Sequence, residues 1–245
     1  MPEMGVEAGM TKAVFFDIYG TLIDIRTDEG DPWIYGVLSR YLSYYSVRVS
    51  PEELRKTYFE QVQRMLRTSA ETYPEVDVCN VFHGIMHRYG MRRYPRAVVA
   101  GVAMLFRSLS RKSFGPFPGI YEALFSLAEL EYRTAIISDA QWVFTEPETA
   151  MLGLDRFFKF KMLSSRFGYK KPDVRLFRAA MERLGVGPEE SVYIGDNPAK
   201  DLVGSKKAGM KFVLFGPECK PCNGLQPDRC FSNYAELEGI LREIG

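Results

Sequence analysis

The sequence predicts an α/β protein, a doubly wound parallel sheet whose first strand is followed by an inserted block of helices. Three observations carry that prediction. An apolar run, Ala13-Val14-Phe15-Phe16, ends abruptly at Asp17 and a Gly20-Thr21 turn. Residues 25–114 then show helical periodicity with no legible strand. From Ile120 onward, short strand-like runs alternate with helix-length ones, the pattern of right-handed βαβ units.

The first run is short, rich in Val and Phe, and soon followed by Gly20, which suits a buried central strand better than a helix. Such a strand delivers Asp17 to the carboxyl edge of the sheet, where ligands of open α/β folds collect. Taken alone, Asp17 reads more readily as a cap for the next helix or turn than as a functional acid.

Composition narrows the field. A chain of 245 residues, 46% hydrophobic and 26% charged, makes one large or two modest domains with room for a sizeable core. Its net charge of +1 balances 32 basic against 31 acidic residues, and no basic stripe stands out. Nucleic acid and anionic membranes are therefore not expected partners, and a small-molecule substrate is. Residues 1–12 hold no apolar stretch of signal-peptide length, and no segment approaches the ~18 apolar residues of a membrane span, so a cytoplasmic protein is expected. Oligomeric state is not legible.

In the helical block, Trp33-Ile34, Val37-Leu38, Tyr41-Leu42 and Tyr45 recur at helical spacing, with Pro32 suited to the first turn. Ser50-Pro51-Glu52-Glu53 is a capping-box start for a helix through Leu54, Tyr58, Val62, Met65 and Leu66. Two more helices are predicted over 77–89 and 95–109. Cys79, His83 and His87 share a helix face, as metal ligands would, but Val78, Phe82 and Met86 flank them and favour a packing stripe. Arg92-Arg93-Tyr94-Pro95-Arg96 reads as a solvated turn between helices. The domain division that follows is a core of residues 1–24 and 115–245 with a helical cap of residues 25–114.

Phe114-Gly115-Pro116-Phe117-Pro118-Gly119 has loop composition and marks the return to the core. Predicted helices over 120–130, 146–151, 174–184, 199–208 and 234–244 alternate with strands over 133–138, 158–163, 191–194 and 211–215. Cys219-Lys220-Pro221-Cys222, with Cys230 nearby, could bind zinc or form a disulfide. No second C-x-x-C completes a tetrahedral site, so incidental loop thiols are expected.

Polar residues gather where the strand ends should meet. Asp17 ends the first strand; Ile136-Ile137-Ser138-Asp139 ends the next; Gly168-Tyr169-Lys170-Lys171-Pro172-Asp173 is a loop; Gly195-Asp196-Asn197, with Asp201 following, ends another. In that order, Asp17-x-x-Gly20-Thr21, Ser138, Lys171-Pro172-Asp173 and Gly195-Asp196-x-x-x-x-Asp201 resemble the haloacid dehalogenase (HAD) superfamily of hydrolases. The resemblance runs from about Ala13 to the end. It implies a Rossmann-like core with a small helical cap, and chemistry through an aspartyl-enzyme intermediate. Asp17 would be the nucleophile. Gly20, Thr21, Ser138 and Asp139 would line the phosphate or carboxylate pocket, Lys171 would hold Asp17 and the transferred group, and Asp196 with Asp201 would form the metal side. A carboxylate nucleophile splits one difficult displacement into two easier ones, and hydroxyls, a lysine and turn N–H groups stabilise the developing charge.

One position departs from the pattern. Phosphatases similar to this chain carry a second Asp two residues after the nucleophile as general acid and base, and here that residue is Tyr19. Proton donation to an alkoxide contributes ~10²–10⁴-fold, and a phenol of pKa ~10 can donate but is a poor base for water. A halide leaves without a proton, and 2-haloacid dehalogenases also carry Tyr there. Charge argues the other way. Asp17, Asp196 and Asp201 against Lys171 leave an excess of negative charge that Mg²⁺ would cancel, held by Asp17, Asp196 and the Tyr19 backbone carbonyl with Asp201 behind. The expectation is a Mg²⁺-dependent phosphatase of a small phosphorylated metabolite. The alternatives are a 2-haloacid dehalogenase and a phosphate-binding protein with negligible turnover. The resemblance implies that the cap chooses the substrate; Arg55 or Arg64 could meet an anion there, though solvated surface positions are the expectation for both.

Overall fold

A computed structural model describes residues 11–91 and 93–245. The readings made on residues 1–10 and on Arg92 lie outside them. Strand β1 (Ala13–Phe16) sits at the centre of a six-stranded parallel sheet, paired with β4 (Arg133–Ser138) on one side and β6 (Ser191–Gly195) on the other. Strand β5 (Lys161–Leu163) closes one edge, while β7 (Lys211–Phe215) and β8 (Arg229–Phe231) extend the other, for an order β5-β4-β1-β6-β7-β8.

The two-residue period of the strands makes two cores. Val14, Phe16, Ile136, Ile194 and Val213 pack against helices α5 (Ile120–Glu129) and α9 (Leu237–Ile244). Ala13, Phe15, Ala135, Ile137, Tyr193 and Phe212 pack against α7 (Val174–Leu184). Because β1 is covered on both faces it is wholly apolar, and its first polar side chain, Asp17, comes where the strand ends.

Helices α1 (Pro32–Tyr44), α2 (Pro51–Thr68), α3 (Val78–Tyr89) and α4 (Arg96–Ser110) form the insert. Asp31, Ser50 and Asp77 cap the first three, accepting from Trp33 N, Glu53 N and Cys79 N. The capping box at Ser50 is half made, since the Glu53 carboxylate accepts from Tyr89 Oη at 2.8 Å. Tyr35, Leu38, Tyr58, Phe82, Ile85 and Phe106 form a third core, joined by Val143 and Phe144 of helix α6 (Trp142–Met151). His83 and His87 are exposed, whereas Val78, Phe82 and Met86 are buried. Among the described residues no helix is long and apolar enough to cross a membrane.

Several sequence expectations need correction. The block read as free of strands begins and ends in an antiparallel ribbon, β2 (Ile23–Thr27) with β3 (Arg111–Pro116), so part of the expected 114–119 loop is strand. The ribbon partners are far apart in sequence and mostly only partly buried, so neither a hairpin turn nor an apolar run announces them. Helix α6 starts at Trp142 because Pro147 lies inside the helix and does not begin it. The expected strand over 158–163 shortens to β5 behind a 3₁₀ turn, Asp155–Phe157. The expected helix over 199–208 divides into a π-helical turn, Pro198–Leu202, and α8 (Val203–Lys207). Edge strand β8 was not legible in its three residues. Cys219 pairs with Cys230, at a Cα separation of 5.6 Å, and Cys222 is free, so the loop thiols are not all incidental and the C-x-x-C pair is not the bonded one.

Candidate active site

Adjacent strands β4, β1 and β6 end together, which brings Ser138, Asp17 and Asp196 to one edge. After β1 the chain turns tightly, with Thr21 N, Leu22 N and Ile23 N all donating to Ile18 O. Gly20 has φ +86°, and a Cβ there would stand 2.5–2.9 Å from the Asp196 carboxylate atoms. The turn thus needs glycine twice, for its left-handed backbone and for the carboxylate it lets approach. Gly20→Ala is expected to cost ~1–3 kcal/mol of stability, read by chemical denaturation, because strain and overlap coincide at one atom. Thr21 is buried, donates to Asp196 Oδ1 at 3.2 Å, and is backed by Tyr234, whose hydroxyl donates to Thr21 O at 2.6 Å.

Lys171 is only 2% exposed. Its ammonium lies 2.7 Å from Asp201 Oδ1 and 3.1 Å from Asp17 Oδ2, and it donates to Tyr193 Oη at 2.9 Å. Burial opposes its charge, but Asp17, Asp201 and Asp139 outweigh that and raise its pKa. The Lys171 backbone N–H donates to Asp139 Oδ1 at 2.8 Å, so Asp139 braces the loop that presents the lysine. Asp139 Oδ2 is buried without a hydrogen bond, although Lys200 Nζ lies 3.2 Å away. Lys200, on the π-helical turn, carried no sequence signal.

Asp201 is fully buried on that same turn and accepts from Asn197 N at 2.9 Å. Burial pushes its carboxyl up to about 7, with Lys171 pulling down and Asp17 pushing further up. The Asp196 side chain reaches solvent, yet the protein packed around its base and then the Asp17 charge raise its pKa as well. Asp17 Oδ1 accepts from Ile18 N at 2.8 Å, leaving Oδ2 toward Lys171.

Tyr19 points its hydroxyl into a different network. It donates to Glu148 Oε2 at 2.5 Å and lies 3.1 Å from Thr145 Oγ1, both on α6. Arg107 of α4 holds Glu148 through Nε (2.8 Å) and Nη2 (3.1 Å) and stands 5.0 Å over the Tyr19 ring. Burial, then the Glu148 charge, raise the phenol pKa well above its ordinary value, so the proton stays on Tyr19. Glu148 and Arg107 were missed from sequence, where they are one acid and one base on separate helices.

Asp17, Asp196 and Asp201 each offer an oxygen within 4.8 Å of the others. With Asp139 they outnumber the ammonium groups of Lys171 and Lys200. Hard oxygen donors with surplus negative charge, with Gly20 letting the Asp196 carboxylate come in against the turn after Asp17, fit a divalent cation.

A strand-end carboxylate, a buried lysine and an acidic cluster at the carboxyl ends of a parallel sheet suit a hydrolase, and the comparisons agree. The family model for haloacid dehalogenase-like hydrolases matches residues 14–215, and the chain belongs to that family. It is 27% identical over 240 residues to a glyceraldehyde 3-phosphate phosphatase of Methanopyrus kandleri, covering 96% of this chain and 99% of that one. It is 33% identical to one of Methanothermobacter thermautotrophicus over 85% of this chain and 87% of the relative. In fold it is similar to a 2-haloacid dehalogenase from Pseudomonas syringae (TM-score 0.67, 22% identity, 96% of this chain and all, 100%, of that one). A HAD phosphatase from Thermococcus onnurineus gives a TM-score of 0.61 at 22% identity, covering 94% of this chain and 98% of that one.

Proposed function

We propose that this hydrolase is a Mg²⁺-dependent phosphatase of a small phosphorylated metabolite in the cytoplasm. The observation that carries it is the triple carboxylate cluster around Asp196. A metal-free haloacid site has no use for an ionised acid there, whereas a phosphate dianion beside Asp17 requires added positive charge. The similarity to enzymes named glyceraldehyde 3-phosphate phosphatase supports the same class.

An Asp17 carboxylate oxygen attacks phosphorus and the ester P–O bond breaks, the leaving alkoxide oxygen taking its proton from solvent water because the Tyr19 proton is held by Glu148. Water then attacks the aspartyl phosphate and gives up its proton to solvent, and the Asp17 O–P bond breaks to release phosphate and restore the carboxylate. Lys171 orients Asp17 and offsets charge on the transferred group, while Thr21 and Ser138 supply hydroxyls to its oxygens. Asp17, Asp196 and the Tyr19 carbonyl, with Asp201 behind them, would hold Mg²⁺, which screens the phosphoryl charge from the carboxylates. Tyr19 serves to tie the nucleophile loop to α6, because its proton is committed to Glu148.

The test is phosphate release from a panel of small phosphate esters, with and without EDTA, alongside halide release from 2-chloropropionate. Phosphate release that EDTA abolishes is expected. Halide release that survives EDTA would replace this reading with the dehalogenase, and neither anion from a folded, Mg²⁺-loaded protein would point to a binding protein.

A further inference from the structure

A cavity of about 370 Å³ opens between α2 and α3 of the insert, lined by Gln61 and Arg64 on one helix and by Gly84, His87 and Arg88 on the other. None of these residues belongs to the strand-end site around Asp17. The cavity collects two residues the sequence singled out, Arg64 and His87, both exposed at its rim.

Its wall holds an amide with nothing to bond. Gln61 is only 8% exposed, and among the described residues its side chain makes no hydrogen bond. Buried amides normally have partners, because an unmade bond costs the full desolvation of the group. Gly84 is what seats this one, since a Cβ there would stand 2.7 Å from Gln61 Oε1 and 3.2 Å from Nε2. Glycine inside a helix is unfavourable relative to alanine, so helix stability is given up to keep a carbonyl and an NH₂ group in the cavity wall. Thr57 beside it is already committed. Its hydroxyl donates to Tyr89 Oη at 2.9 Å, and the Tyr89 proton goes to Glu53.

The rim carries surplus positive charge. Among the described residues neither Arg64 nor Arg88 forms an ion pair, and Glu60, the carboxylate in the lining, stands 4.0 Å from Lys56 Nζ. Two guanidinium groups and an imidazole against one shared carboxylate suit an oxyanion, and the planar guanidinium fork matches the geometry of phosphate. At ~30 Å³ per water the cavity has room for about a dozen non-hydrogen atoms. Inorganic phosphate would leave much of that space empty, whereas the phosphate ester of a three-carbon polyol would fill it.

We propose that this cavity is a second binding site, on the insert, for a small phosphorylated polyol, its phosphoryl group held by Arg64 and Arg88 and a hydroxyl group by the Gln61 amide. The bound molecule would bridge α2 and α3. Binding there needs neither Mg²⁺ nor Asp17, and so stands apart from the phosphatase reading.

The test is isothermal titration calorimetry of the full chain in EDTA, with glycerol 3-phosphate and inorganic phosphate as probes. Wild type is expected to bind glycerol 3-phosphate one to one, with a Kd at or below about 1 mM. The double variant Arg64→Met, Arg88→Met should weaken both probes by at least about tenfold. Gln61→Leu should weaken glycerol 3-phosphate about tenfold and phosphate less than about threefold, because only the ester reaches the amide. Gly84→Ala, whose methyl group displaces the amide, should match Gln61→Leu and keeps the result readable if the leucine variant does not fold. No saturable binding by wild type, or binding that survives loss of both arginines unchanged, overturns the site. Ester binding that Gln61→Leu and Gly84→Ala both leave unchanged, or phosphate bound as tightly as the ester by wild type, overturns the assignment to a phosphorylated polyol. None of these outcomes bears on phosphate release in Mg²⁺, which is measured separately.

Discussion

Asp17→Asn is expected to lower kcat on every phosphate ester by at least ~10⁴-fold while the protein still folds. The amide is isosteric and keeps an oxygen to accept from Ile18 N, so the turn after β1 has what it needs. Lys171 keeps Asp201 at 2.7 Å and Tyr193 at 2.9 Å, so its charge remains compensated. What is lost is the anionic oxygen that, in the proposed mechanism, attacks phosphorus, and neither Asp201 nor Asp139 replaces it. Asp201 is fully buried against Lys171, and Asp139 is occupied with the Lys171 backbone. Removing one charge from a crowded acidic cluster should leave the melting temperature in EDTA equal to or above that of wild type. Single-turnover phosphate release together with a melting curve checks both halves. Turnover within tenfold of wild type would remove Asp17 from the nucleophile's role.

The parts of this site that were legible in the sequence are those a single strand end can announce. Asp17, Ser138 and Asp196 each follow an apolar run, so the βαβ pattern that assigns the strands also assigns the acids and the hydroxyl to one edge. Lys171 was legible only through its resemblance to a family motif, since a loop lysine has no periodicity. The unread parts depend on long-range packing. Glu148 is buried because Arg107 arrives from a helix of the insert, and nothing local to either residue predicts the meeting. The cysteine spacing led to an expectation of incidental loop thiols, but β8 returns Cys230 to Cys219, a separation of 11 residues that a local motif cannot encode.

The same packing makes Lys171 the residue whose loss should disturb the protein most. Lys171→Met keeps the length and the apolar stem but leaves Asp17 and Asp201 without their ammonium, with Asp201 wholly buried. Breaking a buried pair by removing one partner typically costs ~3–5 kcal/mol, so in EDTA the variant is expected to lose about that much stability along with its turnover. The loss should depend on pH, and its sign follows from Asp201. Its pKa already stands at about 7 with the lysine present, above the ordinary 3.8. A carboxyl raised in the folded state contributes stability that is complete below its ordinary pKa and is lost as pH rises through the folded value. Without Lys171 the folded value moves higher still, so the protonated, uncharged Asp201 survives at pH 5 and must ionise, or unfold the protein, toward pH 8. Urea denaturation of wild type and Lys171→Met in EDTA should therefore show the smaller difference at pH 5 and the larger at pH 8. A difference that is flat across that range, or greater at pH 5, would mean that the lysine does not hold these carboxylates in their charged form.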